Sequence, residues 1–435
     1  MPRFLLTTFG SLGDLHPYLA IGRELLARGH GVTVLTHEPY RMRVTNAGLA
    51  FAPLAPDFDS FPDPVGLMRQ AMEEHRGSVF ILRALVVPFL REQMNATRAA
   101  AEHHDVILSH PVTLMTAHVA EAMHKPWASA SLQPATMFSR VDPPYFPNYG
   151  MVMRIMRLGP PVANLLYRLM MVASRPMLRE CDVLRAELGL PATSRHPLLE
   201  SVFSPHLHLA LFSPVFAPPQ SDWPAQTVVT GFPLHDRGEQ GEGMSKALNA
   251  WLDSGDAPLL FTLGSSAVND PGSFFTESAT AARRLGRRAV LLVGTHPKTR
   301  EPLTQDAAPR LEDAPTADVV AVAYAPHSEI MPRTAAVVHQ CGIGTMAQAL
   351  RSGRPMLATP FGHDQPDNAR HAQRLGVARV VTRRAYRAGP VAHVLERLLS
   401  DPAIAAAAAT VGGKIRAEDG AAAAADALER LAARH

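Results

Sequence analysis

Residues 338–345 read VHQCGIGT, between the apolar run at 335–338 and a helix-favouring stretch at 346–350. A buried strand that ends in glycines and leads into a helix is typical of the parallel sheets of α/β proteins. Glycines at such a turn let the backbone bend tightly and let its N–H groups approach a phosphate at the positive end of the helix. Gly and Thr also suit an ordinary strand-to-helix turn, so this stretch alone leaves both interpretations open.

Five further apolar runs accompany this turn and predict a parallel sheet. They alternate with helical stretches, an order that produces parallel pairing through crossover helices. The six predicted strands are LLFTLG, AVLLVG, VVAVAY, AAVVHQ, PMLATP and VARVV, between residues 259 and 381.

An earlier series of the same kind covers the first 130 residues. Pro17 suits the first turn of a helix that Gly29 closes. The strands predicted here lie at residues 3–9, 31–36, 106–108 and 127–132, with the helix TLMTAHVAEAMH between the last two.

The two series are separated by a stretch rich in Pro and Gly at residues 212–243, which is the composition of a linker. The fold class predicted is α/β, with two doubly wound Rossmann-like domains that face each other across a cleft. The predicted boundaries are an N-terminal domain at 1–215, a linker at 216–245, a C-terminal domain at 246–400 and alanine-rich C-terminal helices at 401–435.

The composition narrows the class of protein. A chain of 435 residues with 47% apolar and 19% charged residues is typical of a globular protein with two domains. A net charge of +3, without interleaved basic and aromatic residues, argues against a nucleic-acid partner. Cys181 and Cys341 predict neither a disulfide framework nor a metal site, and Asp57 and Asp59 lie in a proline-rich loop. Without a signal peptide or a membrane-spanning run, we expect a cytoplasmic protein.

The strand-to-helix turns of the second series carry the candidate binding residues, because ligands of such sheets bind beyond the carboxyl ends of the strands. Gln340 could donate a side-chain N–H beside Gly342, Gly344 and Thr345. Ser265 follows an earlier strand and suits either a phosphate or a helix cap.

Two more turns of this series lie at the same sheet edge. In PFGHDQPDN, at 360–368, the residues Asp364, Gln365 and Asn368 suit hydrogen bonds to sugar hydroxyls, and capping of the next helix is the alternative. Tyr324 either stacks on a base or fills the core.

The stretch GSLGDLHP, at 10–17, places Asp14 and His16 at the first strand-to-helix turn, where either side chain could act as a general base on an alcohol. Helix capping by Asp14 and a surface position for His16 are the structural alternatives. GSLG together with Glu38 also loosely imitates a dinucleotide fingerprint, although the third glycine is missing.

Four motifs, in order along the whole chain, resemble the inverting nucleotide-sugar glycosyltransferases of the GT-B fold. This group contains sterol glucosyltransferases, antibiotic glycosyltransferases and rhamnolipid-type rhamnosyltransferases. FGSLGDLHP is similar to its N-terminal GSxGDxxP motif, VVTGFPL to the start of its interdomain linker, TLGS to its donor-domain serine turn, and VVHQCGIGT with PFGHDQPDN to its donor-binding signature.

The resemblance implies a role for each candidate residue. Asp14 lies where the group places its general base, and His16 is the second candidate. Gln340 replaces the second histidine of the pattern HHGGAGT, which keeps a hydrogen-bond donor and gives up a positive charge. The resemblance implies that Thr345 and Ser265 contact the diphosphate, Gln348 the ribose and Tyr324 the base. It also implies that Asp364 and Gln365 contact the sugar. His339, Gly342 and Gly344 belong to the same donor-binding signature.

The implied reaction is a single displacement with inversion, in which a hexose of rhamnose or glucose type leaves a dTDP- or UDP-sugar. The nucleotide sugar is a substrate, so no cofactor is expected. Because the sequence has no metal motif, we expect the N–H groups of Gly344 and Thr345, with Ser265 and Gln340, to stabilise the negative charge of the leaving diphosphate.

Two apolar stretches, at 79–90 and 151–174, lie where this group builds its acceptor pocket. Methionine-rich surfaces suit lipid chains, so we expect a lipophilic acceptor: a hydroxy fatty acid or glycolipid, a sterol or a polyketide. Ordinary core helices are the alternative. Arg154, Arg157 and Arg168 permit a peripheral contact at the inner membrane face. A GT-B nucleotide-sugar epimerase, an NAD(P)-dependent oxidoreductase, a non-catalytic binding module and the oligomeric state all stay open.

Overall fold

The computed structural model describes residues 1–74, 76–146, 150–235, 243–295 and 307–435. The chain divides into two compact units, each built on one parallel sheet. The first contains Met1–Ala71, His75–His235 and Glu418–His435, and the second contains Met72–Glu74 and Asp236–Ala417. The predicted α/β class with two doubly wound domains is confirmed.

The sheet of the first unit has the strand order β3-β2-β1-β4-β5-β6-β7, so the order reverses between β1 and β4. Parallel strands are buried on both faces, which explains why most of them are near-continuous apolar runs. Its strands are β1 Arg3–Thr7, β2 Gly31–Thr36, β3 Ala50–Pro53, β4 Val106–Ser109, β5 Trp127–Ser131, β6 Leu207–Ala210 and β7 Thr227–Val229.

Helices connect these strands and pack their apolar sides into a core that includes Leu5, Ile107 and Trp127. The helices up to the end of β6 are α1 Leu12–Ala27, α2 Arg41–Asn46, α3 Pro64–Ala71, α4 Gly77–Phe80, α5 Leu90–Ala101, α6 Met115–Ala122, α7 Gly150–Met156, α8 Pro160–Ser174 and α9 Arg179–Glu187.

The sheet of the second unit has the strand order β10-β9-β8-β11-β12-β13, and here the order reverses between β8 and β11. Its strands are β8 Leu259–Thr262, β9 Ala289–Leu292, β10 Val319–Val322, β11 Ala336–His339, β12 Met356–Ala358 and β13 Ala378–Val380. The helices of this half are α10 Lys246–Asp253, α11 Gly264–Ala267, α12 Phe274–Arg284, α13 His327–Ile330, α14 Ile343–Ser352, α15 Gln365–Arg374 and α16 Ala388–Leu399.

The alanine-rich C-terminal segment forms two helices, α17 Pro402–Arg416 and α18 Gly420–Ala432. The second of them returns to the first unit. There Arg28, at the C-terminal cap of α1, donates to Asp426 and Glu429 at 2.6 Å each, and the His30 imidazole lies 2.7 Å from the Glu429 carboxylate. Charged contacts therefore hold α18 against the helix that carries Asp14.

The sequence-based linker at 216–245 contains structured residues. β7 lies within it and pairs in parallel with β6, so the first unit continues to His235. Residues 236–242 of that linker lie outside the described residues. β7 is only three residues long, which is too short to leave a periodic pattern between prolines.

The start of α1 differs from the prediction that Pro17 lies in its first turn. The helix begins at Leu12, and Pro17 lies inside it. Ser11 and Asp14 form a capping box that starts the helix earlier, because together they satisfy N–H groups that the first turn leaves without partners. Across the ranges that the structure describes, no helix is long and apolar enough to cross a membrane.

Candidate active site

Asp14 lies where the first sheet reverses its strand order. It follows β1 at the start of α1, and the neighbouring strand β4 ends one residue before His110. Doubly wound sheets bind ligands at this point because the connections on either side leave in opposite directions. The accessible fraction of the Asp14 side chain is 30%, so a substrate hydroxyl can reach it.

The Asp14 carboxylate is fixed by its own turn. Its Oδ2 accepts hydrogen bonds from the backbone N–H of Ser11 at 2.8 Å and from the Ser11 hydroxyl at 3.0 Å. Gly10 has φ +124°, and a Cβ at that residue would lie 2.4 Å from Asp14 Oδ2. Glycine at position 10 therefore leaves the space that the carboxylate occupies.

His110 supports the other oxygen of Asp14. Its Nδ1 accepts the N–H of Val112 at 3.3 Å, which assigns the proton to Nε2, and Nε2 lies 3.4 Å from Asp14 Oδ1. Burial raises the pKa of the Asp14 carboxyl, but the hydrogen bond and electrostatic interaction with His110 and the hydrogen bonds from Ser11 outweigh burial and hold this pKa below its usual value. The side chain is thus a carboxylate at neutral pH and can accept a proton.

We expect His110→Ala to lower kcat for the reaction at this site by about ten- to hundredfold, because the base loses one positioning contact. Loss of the His110 hydrogen bond also raises the pKa of Asp14, so the acid limb of the pH profile of kcat/KM should move to higher pH. His110→Gln keeps an N–H donor and should recover part of both effects. An acid limb that stays in place in His110→Ala would contradict the positioning role.

The other histidines near this turn have different surroundings. The ring of His16 packs edge-on against His235, with the ring centres 5.5 Å apart. His37 Nδ1 lies 2.9 Å from the Pro56 carbonyl, and its Nε2 accepts the N–H of Gly10 at 3.4 Å. Burial lowers the pKa of His37 to about 4, so this neutral ring supports the glycine turn. Sequence reasoning missed His37 and His110, although His37 directly follows the strand predicted at 31–36 and His110 lies two residues after the strand predicted at 106–108.

The turn of the second unit also lies where the strand order reverses, after β11 and beside the turn that follows β8. The Gln340 amide lies between Gly264 and Gly342. A Cβ on Gly264 would lie 2.3 Å from Gln340 Nε2 and 3.1 Å from Thr345 Oγ1, and a Cβ on Gly342 would lie 3.0 Å from the same Nε2. These glycines make room for the Gln340 side chain next to the Thr345 hydroxyl.

His339 supports the turn at 340–345 with its buried ring. It is fully buried, its Nδ1 accepts the N–H of Cys341 at 3.1 Å, and burial lowers its pKa to about 3. Cys341 has φ +71°, a left-handed conformation that favours glycine, and burial raises the pKa of its thiol. A buried thiol with a raised pKa is a poor nucleophile.

The turn at 360–368 is joined to the turn at 340–345. Asn368 Nδ2 donates to the Cys341 carbonyl at 2.9 Å and to Asp364 Oδ2 at 2.6 Å. Gln365 Oε1 accepts the N–H groups of Phe361 and Gly362 at 2.8 and 3.2 Å, which leaves its NH₂ group as the donor to a ligand. The sheet edge thus brings the predicted sugar-binding residues next to the glycine turn.

The first turn of α14 offers backbone donors. Its N-cap is Gly342, which has no side chain that could accept from the N–H groups of the first turn, Ile343, Gly344 and Thr345, and a helix supplies these groups with no backbone partner of its own. The positive end of the helix makes this turn suitable for an anion.

Four candidate residues of this unit differ in burial. Gln340 and Gln348 are buried, and within the described chain the Oε1 atoms of both lack a hydrogen-bond partner, so each can accept a ligand hydroxyl. Tyr324 is 42% exposed, which excludes the alternative that it fills the core. Ser265 is exposed after β8.

Two sequence features that suggest other kinds of site, a dinucleotide fingerprint and a pair of acidic residues, make structural contacts instead. Glu38, which the dinucleotide interpretation needs, accepts a hydrogen bond from Arg41 at 2.9 Å on the surface. Asp57 accepts the N–H of Asp59 at 3.0 Å in a short turn, in agreement with the loop interpretation. Among the residues that the structure describes, no three His, Cys, Asp or Glu side chains are grouped to hold a metal ion.

Two family models match the chain. Residues 4–136 match the glycosyltransferase family 28 N-terminal domain, and residues 302–431 match the erythromycin biosynthesis protein CIII-like C-terminal domain. Each match contains one of the two turns described above.

Curated relatives extend the similarity over nearly the whole chain. The O-mycaminosyltylonolide 6-deoxyallosyltransferase of Streptomyces fradiae is 32% identical over 426 residues, which are 96% of this chain and 94% of that protein. The sterol 3-beta-glucosyltransferase of Debaryomyces hansenii is 28% identical over 373 residues, or 83% of this chain. That match spans only 23% of the sterol enzyme, a much longer protein.

A solved structure shows the same fold. The glycotransferase of kitacinnamycin has a TM-score of 0.70 and 23% sequence identity, and the match covers 99% of both chains.

Proposed function

The chain belongs to the GT-B glycosyltransferases, and from this premise we propose that it is an inverting enzyme that moves a hexose from a dTDP- or UDP-sugar to a hydroxyl of a lipophilic acceptor. The proposal rests on where two groups of residues lie in the two sheets. Asp14 with His110 lies at the reversal point of the first sheet, and Gln340 with Thr345 lies at that of the second. One offers a carboxylate base and the other an anion-binding helix end.

In the proposed reaction, Asp14 accepts the proton of the acceptor hydroxyl as its oxygen bonds to the anomeric carbon of the donor sugar. The bond from that carbon to the nucleotide diphosphate breaks on the opposite face, so the configuration inverts. His110 keeps the carboxylate oriented while it takes up the proton. No covalent sugar–enzyme bond is needed, which agrees with the high pKa that burial gives the Cys341 thiol.

The leaving diphosphate gains negative charge as the sugar departs. We propose that the N–H groups of Gly344 and Thr345 stabilise this charge, together with the Thr345 hydroxyl, the Gln340 amide and Ser265. A preorganised donor of this kind is worth about 3–4 kcal/mol in other anion sites. The proposal therefore needs no cofactor and assigns no metal to the reaction.

The rest of the donor is assigned to the surrounding side chains. Gln348 Oε1 is a buried acceptor, which suits a ribose hydroxyl, and the exposed ring of Tyr324 suits stacking on the base. Asp364 and the NH₂ group of Gln365 suit the hydroxyls of the hexose. These assignments do not distinguish uracil from thymine.

For the sugar and the acceptor, support comes from the names of the relatives. By its name, the Streptomyces fradiae enzyme transfers a 6-deoxyallose to O-mycaminosyltylonolide, and the Debaryomyces hansenii enzyme transfers glucose to a sterol. We therefore propose a hexose of rhamnose or glucose type and an acceptor of polyketide or sterol type, ahead of a hydroxy fatty acid. Cys181 and Cys341 are both free, which supports a reducing compartment such as the cytoplasm.

Calorimetric titration tests the donor half of this proposal. We expect micromolar binding of dTDP or UDP in the presence of a chelator, and tighter or more exothermic binding of one glucose or rhamnose conjugate. That conjugate is then incubated with a sterol, a macrolide aglycone and 3-hydroxydecanoic acid, and the anomeric configuration of the product is read by NMR. Binding of NAD(P) without binding of either nucleotide would overturn the proposal, and a product with retained configuration would overturn the mechanism.

A further inference from the structure

The hairpin formed by α7 and α8 in the first unit has a small apolar core of its own. Met153 and Met156, on α7, pack with Ala163 and Tyr167, on α8. The sequence allowed residues 151–174 to be ordinary core helices, and these four positions fit that alternative. The exposed apolar residues of the hairpin do not fit the alternative of ordinary core helices.

The outer side of each helix carries an exposed apolar stripe. On α7, Met151 and Ile155 form one, and Leu158 continues it in the turn that follows the helix. On α8, Leu165, Leu169 and Val172 form the other, with the spacing i, i+4, i+7 that places residues on one helix face. The exposed fractions of Met151, Leu158 and Val172 are 77%, 77% and 74%. Most of the large apolar side chains exposed in the described residues lie in this hairpin, so the surface is not a random scatter.

Arginines accompany both stripes at the same relative position. Arg154 lies three residues after Met151 and four before Leu158, and Arg168 lies three after Leu165 and four before Val172. Both arginines are exposed. Residues 150–174, which form the hairpin, contain three arginines, the third being Arg157, and no Asp or Glu. Arg175, directly after α8, is paired with Asp182 at 3.1 Å and is not counted with them.

The presence of arginines without acidic residues distinguishes between the partners that could cover the exposed apolar stripes. Two copies that met face to face through the hairpin would bring arginines of one copy close to arginines of the other, without acidic residues to pair them. An anionic lipid surface offers acyl chains to the stripes and phosphates to the guanidinium groups at once. A basic amphipathic hairpin with large apolar side chains is typical of elements that lie in the plane of a membrane interface.

We propose that the α7–α8 hairpin docks the protein onto an anionic phospholipid bilayer, with its apolar stripes at the headgroup boundary and its arginines on the lipid phosphates. This inference does not depend on the sugar or on the acceptor. It would place an enzyme that uses a soluble nucleotide sugar beside the phase in which lipophilic alcohols dissolve.

Vesicle co-sedimentation of the full chain tests the inference. We expect binding to vesicles of phosphatidylcholine with phosphatidylglycerol, and at least about tenfold weaker partitioning onto pure phosphatidylcholine or at high salt. Arg154→Gln/Arg168→Gln should weaken partitioning about 25-fold, since each basic residue near an anionic surface contributes roughly fivefold. Leu165→Ser/Leu169→Ser should weaken it by about tenfold or more.

The matched control is Met42→Ser/Val183→Ser, which removes two exposed apolar side chains of the same unit outside the hairpin and should leave partitioning unchanged. Thermal unfolding and nucleotide affinity, measured in every variant, show whether the fold is intact. Equal loss in the control, or no vesicle binding by the unaltered protein, would overturn the proposal. So would light scattering that shows a dimer which Leu165→Ser/Leu169→Ser dissociates, because the hairpin would then be a contact between copies.

Discussion

Asp14→Asn is expected to lower kcat for sugar transfer by about 10²- to 10⁴-fold, the range of a lost general base, and to leave nucleotide affinity within about a factor of two. The asparagine side chain keeps the shape of the carboxyl but cannot accept the proton of the acceptor hydroxyl. Nucleotide affinity should survive because the proposed donor contacts lie in the other unit, at Gln340 and Thr345. Initial rates with the preferred donor, and calorimetry with the nucleotide alone, measure the two quantities separately.

A stability effect accompanies this substitution and needs its own control. The pKa of Asp14 is lower in the folded chain than in the unfolded chain. Its charge therefore stabilises the fold above the unfolded pKa, and this stabilisation is lost as the pH falls through the folded value. Asp401→Ala removes the cap of α17, where Asp401 accepts the N–H of Ala403 at 3.0 Å. Each variant should lose about 1 kcal/mol of unfolding free energy at pH 7, but only Asp14→Asn should lose activity.

His16 is the competing base, and His16→Gln distinguishes the two candidates. If Asp14 is the base, His16→Gln keeps most of the activity and the acid limb of the pH profile. If Asp14→Asn stays active and His16→Gln does not, the base is His16 and the Asp14–His110 pair is structural. Both variants can be measured under one set of conditions, and if both stay active, neither residue is the base.

The central strands of both sheets could be predicted because parallel strands are buried on both faces. GVTVLT became β2, at Gly31–Thr36, with the predicted bounds, and LLFTLG and AAVVHQ became β8 and β11. β7, at Thr227–Val229, could not be predicted, because its three residues follow a proline-rich stretch and are recognisable only from their pairing with β6. In the second sheet all six strands were predicted, including the edge strands β10 and β13, whereas in the first sheet the short strands β3 and β6 were missed together with β7.

The residue types of the site could be predicted, but their contacts could not. Asp14 and His110 are 96 positions apart, and only the neighbouring of β1 and β4 brings them to 3.4 Å. The function of Gly264 depends in the same way on Gln340, which follows a strand that comes later in the chain but lies next to β8. The rule that ligands bind beyond the carboxyl ends of parallel strands predicts that such residues lie near one another. Which of their atoms come into contact depends on side-chain packing.

Both units use glycine in the same manner at the reversal point of the sheet. Gly10 has φ +124° and leaves space for the Asp14 carboxylate, and Gly264 has φ +63° and leaves space for the Gln340 amide. In each case the glycine follows the central strand, and the polar side chain that it accommodates belongs to a nearby helix start or turn. The glycines of the two motifs therefore position side chains, beyond letting the backbone turn.

Gly264→Ala is expected to weaken dTDP or UDP binding by at least about tenfold. The new Cβ would lie 2.3 Å from Gln340 Nε2 and 3.1 Å from Thr345 Oγ1, so either these side chains or the turn must move. The left-handed backbone adds about 1–2 kcal/mol of strain for a residue with a Cβ. Calorimetry gives the nucleotide affinity, and urea unfolding gives the stability.

Gly286→Ala separates strain from displacement of the site. Gly286 has φ +59°, close to that of Gly264, but a Cβ there would meet nothing within 4 Å. Both variants should lose a similar amount of stability, because the backbone strain is the same, and only Gly264→Ala should lose nucleotide affinity. If Gly264→Ala binds nucleotide as well as Gly286→Ala does, the Gln340 and Thr345 side chains are not donor ligands. The proposed anion site would then consist of the backbone N–H groups of α14 with Ser265.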